Sequence, residues 1–201
     1  MSREDTRVLG RIFVHALGAR TVTPRELARS LGLLPKEMDG RLGVLEKEGL
    51  VRLRGKKVGL TDRGRKRLRV VFIGGGFEVI HAGHLHTLNE AKSLGDVLVA
   101  VVARDDTIRR RKGRDPVSPE DERQELLASL RQVDKALLGV KGNIYTMLER
   151  VRPDVVALGY DQYHVESEVA KEAAKRGLNI KVVRLDSPNP SLKTTKLLQE
   201  F

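Results

Sequence analysis

The chain has 201 residues, of which 32% are Asp, Glu, Lys or Arg; it carries a formal net charge of +11 and has no cysteine. That composition excludes a disulfide framework, a thiolate metal site and a cysteine nucleophile. No uncharged apolar run reaches the roughly 18 residues of a membrane-spanning helix, and the N-terminus MSREDTRVLG has charges where a signal peptide needs apolar residues, so a cytoplasmic protein is expected. The charge is unevenly placed: residues 1–69 hold 18 Lys/Arg against 8 Asp/Glu, a net +10, whereas residues 70–201 hold 20 against 19, a net +1. This asymmetry predicts two domains, one of which meets a polyanion.

In chain order, Val8, Leu9, Ile12, Phe13 and Leu17 recur at helical spacing and predict a first amphipathic helix over 5–17. Thr23 then caps a second helix, with Pro24 at its first position and Glu26 at capping-box spacing. A third helix is expected from Pro35 to Lys47, with Met38, Leu42 and Leu45 facing inward and Gly49 ending it. Two short alternating runs, Leu50–Leu53 and Val58–Thr61, flank Arg54-Gly55-Lys56-Lys57 and read as a hairpin with a basic tip, and Thr61 opens a last basic helix. This order, with the phrase LEKEGLVRLRGKKVGLTDRG, resembles the winged helix-turn-helix of prokaryotic regulators, and a domain over 1–68 is expected. The resemblance implies a third helix in the major groove and a wing along the backbone. Lys36, Arg41, Arg54, Lys56 and Lys57 are then the candidate DNA contacts. The alternative is a module that only docks the catalytic domain or another protein.

From Leu68 onward strands alternate with helical stretches. Val70–Ile73, Val97–Ala103, Val155–Leu158 and Ile180–Leu185 are the expected strands, and helices are expected at His84–Ser93, near Pro119–Leu130 and over Val165–Arg176. Continuous apolar strands joined by helical crossovers predict a parallel sheet covered on both faces, an α/β domain over 69–201. Ligands of such sheets bind beyond the carboxyl ends of the strands.

The segment Gly74-Gly75-Gly76-Phe77-Glu78-Val79-Ile80-His81-Ala82-Gly83-His84 runs from the end of the first such strand into a helix. Glycines allow close approach of a phosphate to the backbone, and a helix N-terminus offers free N–H groups. His81 and His84, three apart, can face one anion. His86 falls off that face. The alternative is that His81 packs under the loop and His84 merely starts the helix. The His-x-Gly-His pattern resembles the signature of the cytidylyltransferase-like nucleotidyltransferases, whose fold is Rossmann-like. Gly76 stands where the family usually has Thr, and Glu78 where it usually has Asp.

The stretch VARDDTIRRRKGRDPVSPEDERQELLASLRQVDKALLG, continued by PDVVALGYDQ, is similar to the archaeal FAD synthetase branch of that family, which joins AMP from ATP to FMN. The resemblance implies that Lys112 meets triphosphate oxygens, that Arg123 acts at the phosphates, and that Asp161 lies near base and ribose. Gln162 stands where glycerol-phosphate cytidylyltransferases usually have Trp, and Arg109, Arg110 and Arg111 read as a solvated basic loop. Ser191-Leu192-Lys193-Thr194-Thr195-Lys196-Leu197 resembles the family's second signature, which implies phosphate contacts from Lys193, Thr194 and Thr195; Thr194 is alternatively a plain helix cap.

The resemblance therefore implies nucleotidyl transfer from an NTP to a phosphate acceptor, with Mg²⁺ accompanying the nucleotide and pyrophosphate leaving. Its nucleotide site would comprise Gly75, Gly76, Phe77, Gly83 and Asp161, with His81, His84, Lys112 and Arg123 as the catalytic set. A phosphate monoester is mostly dianionic near neutral pH, so no general base is required. ATP with FMN is the leading pair. The alternatives are a CTP-dependent enzyme acting on glycerol phosphate or a similar alcohol, and a nucleotide- or flavin-sensing transcription regulator with a silent transferase fold. A homodimer is expected from both resemblances. No G-x-x-x-x-G-K-[ST] pattern occurs, which argues against P-loop chemistry.

Overall fold

The computed structural model describes residues 1–140 and 143–187. The chain divides into two units, Met1–Arg69 and Val70–Phe201.

The first unit comprises α1 (Arg3–Leu17), α2 (Pro24–Leu31), α3 (Pro35–Lys47), β1 (Val51–Arg54), β2 (Lys57–Leu60) and α4 (Asp62–Arg65). α1 starts two residues earlier than its apolar periodicity predicts, because Ser2 and Asp5 form a capping box there. Thr23 and Glu26 form the expected one at α2, and Gly32 ends that helix in the left-handed region at φ 70°. Leu9, Ile12, Leu27, Met38, Leu42 and Leu45 close a core between the helices, and Val51 and Val58 add the inner face of the hairpin. Gly64 of α4 sits so close to the Leu50 carbonyl that a Cβ would lie 2.0 Å from its oxygen; only glycine lets α4 seat there.

The second unit contains β3 (Val70–Gly75), α5 (Ala82–Ser93), β4 (Val97–Val102), α6 (Asp105–Lys112), α7 (Glu120–Ala128), β5 (Lys135–Leu138), α8 (Ile144–Val151), β6 (Val155–Leu158), α9 (Glu166–Lys175) and β7 (Lys181–Arg184). Its five strands are all parallel, in the order β5-β4-β3-β6-β7. β4 and β6 are buried at every position, as their unbroken apolar sequences require of strands covered on both faces. Leu88 and Ala91 of α5 and Leu127 of α7 pack against Ile73, Leu98 and Ala100 of the sheet. The chain enters at the central β3, builds outward through β4 and β5, then returns to β6 on the other side. The switch point lies between β3 and β6, where the strand order reverses and a crevice forms beyond the carboxyl ends of the strands.

Three elements depart from the sequence expectation. Arg109, Arg110 and Arg111 form no loop; they lie in the last turn of α6. Asp105 and Asp106 occupy its first turn and the four consecutive cations its last, complementing the helix dipole at both ends, and Gly113 at φ 64° terminates it. β5 and α8 also stand where the sequence reading placed no element.

Candidate active site

β3 ends at Gly74 and Gly75, and the chain turns through Gly76–Ile80 into α5. Phe77 makes that turn with φ +50°, a left-handed conformation that costs a bulky residue about 1–3 kcal/mol. Its ring is buried against Gly75, where an added Cβ would come within 2.8 Å of it. The turn thus needs glycine for packing as well as for ligand access. His81 is the N-cap of α5 and its side chain makes no cap hydrogen bond, so the first-turn N–H groups are left for another acceptor. The His81 and His84 rings stand 4.1 Å apart by centroid, and Phe77 abuts His84 at 5.6 Å.

Two cavities flank Gly74–Gly76, and both also touch Lys112, Asp161 and Gln162. The first, of about 290 Å³, is lined by Phe77, His81, Gly83 and His84. The second, of about 380 Å³, lies toward β4, β5 and α8, with an apolar wall including Phe72, Val101, Ile144 and Met147. Tyr163 and His164 stack at 4.0 Å on its rim, and the Arg111 guanidinium lies 4.2 Å over the Tyr163 ring. Among the sequence-derived candidates, Gly75, Gly76, Phe77, Gly83, His81, His84, Lys112 and Asp161 therefore come together around one crevice.

Burial holds the His84 imidazole well below its ordinary range, at about 4, with the nearby His81 and Lys112 acting in the same direction and Asp161 against them. Burial also lowers His81, partly offset by Asp161. Both rings are thus neutral at neutral pH. Glu78 lines the same cavity and is itself 6% exposed. It accepts from Lys112 Nζ, from Arg114 Nη1 at 2.7 Å and from the Val117 N–H at 3.3 Å. Burial alone would raise its pKa, but the hydrogen bonds from Arg114 and Lys112 hold it below the usual carboxylate range.

Arg123 is placed differently from the sequence expectation. It is 1% exposed and lines neither cavity. Its guanidinium donates to Ser118 O at 2.9 Å, to Gly76 O at 2.6 Å, to Ala103 O at 2.9 Å and to Asp105 Oδ1 at 2.5 Å. In this structure it braces the glycine turn from behind and is not open to a phosphate. Lys193, Thr194 and Thr195 lie outside the described residues. His86 lines neither cavity.

Two further braces were invisible in sequence. The Gln162 amide donates to Gly74 O at 2.5 Å across 88 residues. Arg184 of β7 donates to Gly159 O, Gln162 O and His164 O, and it pairs with Glu166 at 2.5 Å. Together they tie the loop after β6 to the glycine turn. No local pattern marks either residue, since their partners are distant backbone carbonyls.

The sequence profile of the cytidylyltransferase-like family matches residues 72–200. The FAD synthase of Thermococcus onnurineus (strain NA1) is 42% identical over 145 residues, covering 71% of this chain and 96% of the relative. That of Aciduliprofundum boonei (strain DSM 19572 / T469) is 49% identical over 115 residues, covering 57% of this chain and 76% of the relative. Among solved structures, a Thermoplasma volcanium GSS1 protein described as a lipopolysaccharide core biosynthesis protein superposes with a TM-score of 0.58 at 41% identity. It covers 60% of this chain and 98% of its own. The chain belongs to the cytidylyltransferase-like family and is an FAD synthase-like nucleotidyltransferase.

Proposed function

We propose that this protein transfers the adenylyl group of ATP to FMN, forming FAD and pyrophosphate. The observation that carries the reaction class is the pair of imidazoles, His81 and His84, 4.1 Å apart by ring centroid at the N-terminus of α5, which has no side-chain cap, beside a glycine turn. The likeness to FAD synthases along 96% of a relative's length narrows the substrates. An oxygen of the FMN phosphate attacks the α-phosphorus of ATP in line. The bond from that phosphorus to the bridging oxygen breaks, and pyrophosphate departs. No proton must be removed from a dianionic nucleophile, so catalysis is positioning and charge stabilisation.

In this reading His81 and His84 donate hydrogen bonds to oxygens of the reacting α-phosphate and the leaving group. Gly75, Gly76 and Gly83 let backbone N–H groups approach the phosphates, with Phe77 setting the turn. Lys112 exchanges its Glu78 partner for triphosphate oxygens, and Asp161 holds the nucleoside. Lys193, Thr194 and Thr195 add phosphate contacts. The apolar cavity beside Met147 and Tyr163 accommodates a flavin ring. Magnesium enters as the nucleotide's counter-ion.

We also propose that Met1–Arg69 is a winged-helix module that binds DNA. Its support is the order of three helices and a hairpin together with the net +10 of residues 1–69.

The test is pyrophosphate release with Mg²⁺, pairing ATP or CTP with FMN or glycerol phosphate and identifying products by mass. FAD from ATP and FMN alone is the expected result. Turnover only with CTP moves the acceptor to a phosphorylated alcohol. Nucleotide binding without release from any pair makes the fold a sensor.

A further inference from the structure

The excess positive charge of the first unit is not on the helix that the helix-turn-helix resemblance assigns to the groove. α3 and its C-cap expose Glu37, Asp39, Glu46 and Glu48 against Lys36 and Lys47, with Glu46 accepting from the Leu53 N–H of β1 at 2.8 Å. Arg41 is occupied by Asp5 at 3.2 Å and Glu37 at 3.3 Å. Val44 projects from this helix 55% exposed, and Leu34 at its N-cap 72%. An acidic, partly apolar surface of this kind is repelled by the phosphates lining a major groove.

The cations lie instead on the hairpin and after it: residues 51–69 hold nine Lys/Arg and one acid, Asp62. Alternation along the strands puts Val51 and Val58 inward and Arg52, Arg54 and Lys57 outward on one face. Arg54 and Lys57 are direct cross-strand partners. Like charges in that relation destabilise a hairpin, so folding does not account for them. Gly59 stands opposite Arg52 and leaves that face open. The three cations, with Thr21, Thr61 and the one acid Asp62, line a concavity of about 390 Å³. Gly55, at φ +58°, makes the two-residue turn that keeps Lys56 and Lys57 at the tip.

We propose that this unit grips the phosphate backbone of duplex DNA with the hairpin and the basic segment through α4, α3 facing away, and so binds without reading sequence. The proposal rests on the DNA-binding reading of the unit given above and assigns it a different face. Lys36 and Arg41 then make no contact. The occupant is a duplex because the only aromatic residue of the unit, Phe13, is buried under Arg65 and offers no stacking platform for single-stranded bases. It is DNA because the wide major groove of B-form DNA lets a two-stranded ribbon lie against the phosphates at its rim, whereas the deep, narrow major groove of A-form RNA does not.

The test uses the full chain and fluorescence anisotropy with two labelled DNA duplexes of unrelated sequence, a duplex RNA and a single strand, over a salt series. The triple variant R52Q/R54Q/K57Q should bind DNA about 8-fold more weakly per lost contact at 0.1 M salt, with the log–log salt slope shallower by about 0.9 per contact. K36Q/K47Q should bind as the parent does, and both parent duplexes should bind alike. Unchanged thermal midpoint and pyrophosphate release in the triple variant exclude misfolding. Greater loss in the α3 variant, discrimination between the duplexes, or tighter binding of RNA or single strand would overturn the face assignment. Failure of the parent chain to bind any duplex at low salt would instead remove the DNA-binding reading itself.

Discussion

Replacing Arg123 by alanine separates a brace from a phosphate ligand. The side chain is 1% exposed and makes four hydrogen bonds, three to carbonyls and one to Asp105. Hydrogen bonds to a charged group contribute about 1.5–3 kcal/mol each, but four cannot be summed, because water enters the space left and partly resolvates the carbonyls. Removing one partner of a buried ion pair costs about 3–5 kcal/mol. We take about 4 kcal/mol as the expected loss, since Asp105 is itself largely buried behind Arg123. For a unit running from Val70 to Phe201, between the sizes at which one kcal/mol shifts a midpoint by about 2–4 °C and by about 4–8 °C, roughly 3–5 °C per kcal/mol applies, and the midpoint of the second unit should fall by roughly 12–20 °C. Below that midpoint, loss of the anchor on the Gly76 carbonyl should raise the KM for ATP more than it lowers kcat. Arg123→Lys keeps the charge but lacks the fork, and should recover only part of the stability. Calorimetry together with FAD formation decides the matter. An unchanged midpoint with a large fall in kcat/KM would refute the brace and return Arg123 to the phosphates.

Three other outcomes are expected. His84→Ala should lower FAD formation about 10²–10³-fold, the cost of one lost transition-state donor; unchanged turnover would remove the histidine from the chemistry. Gly75→Ala should impair ATP binding, because its Cβ would lie 2.8 Å from the Phe77 ring and displace the turn; an unaltered KM would show that the turn tolerates the shift. The imidazole of His84 is held at about 4 in the folded chain against about 6.5 unfolded. Its contribution to stability is therefore fully present above about pH 6.5 and is lost as pH falls toward 4, by up to about 3 kcal/mol. His81 and His164 are lowered by burial and act in the same sense. Denaturant midpoints measured from pH 7 to 4.5 should fall for the parent and fall less for His84→Phe; parallel curves would contradict the shift.

Features written in short-range chemistry were legible in the sequence. The unbroken run of β4, short and rich in β-branched valine, reads as a strand buried on both faces. The Thr23–Glu26 box needs partners three residues apart, and the turn from glycine to histidine into α5 is contained in eleven consecutive residues. The asymmetry of charge between the two units is likewise a matter of counting. Tertiary structure decided the rest. α6 was hidden because a single buried apolar residue, Ile108, anchors it, too little to leave a period. Arginine is normally exposed, and nothing within a few residues of Arg123 reveals that Gly76 and Ala103 will surround it. Gln162 reaches Gly74, and Arg184 the loop after β6, only because β3, β6 and β7 pair side by side. Glu78 is a turn residue until Lys112 and Arg114 fold onto it. The physical reason is one of range. Periodicity, caps and glycine turns are set by neighbours within a turn of helix or strand, whereas the support of a site comes from buried polar groups that find their partners only when distant segments pack.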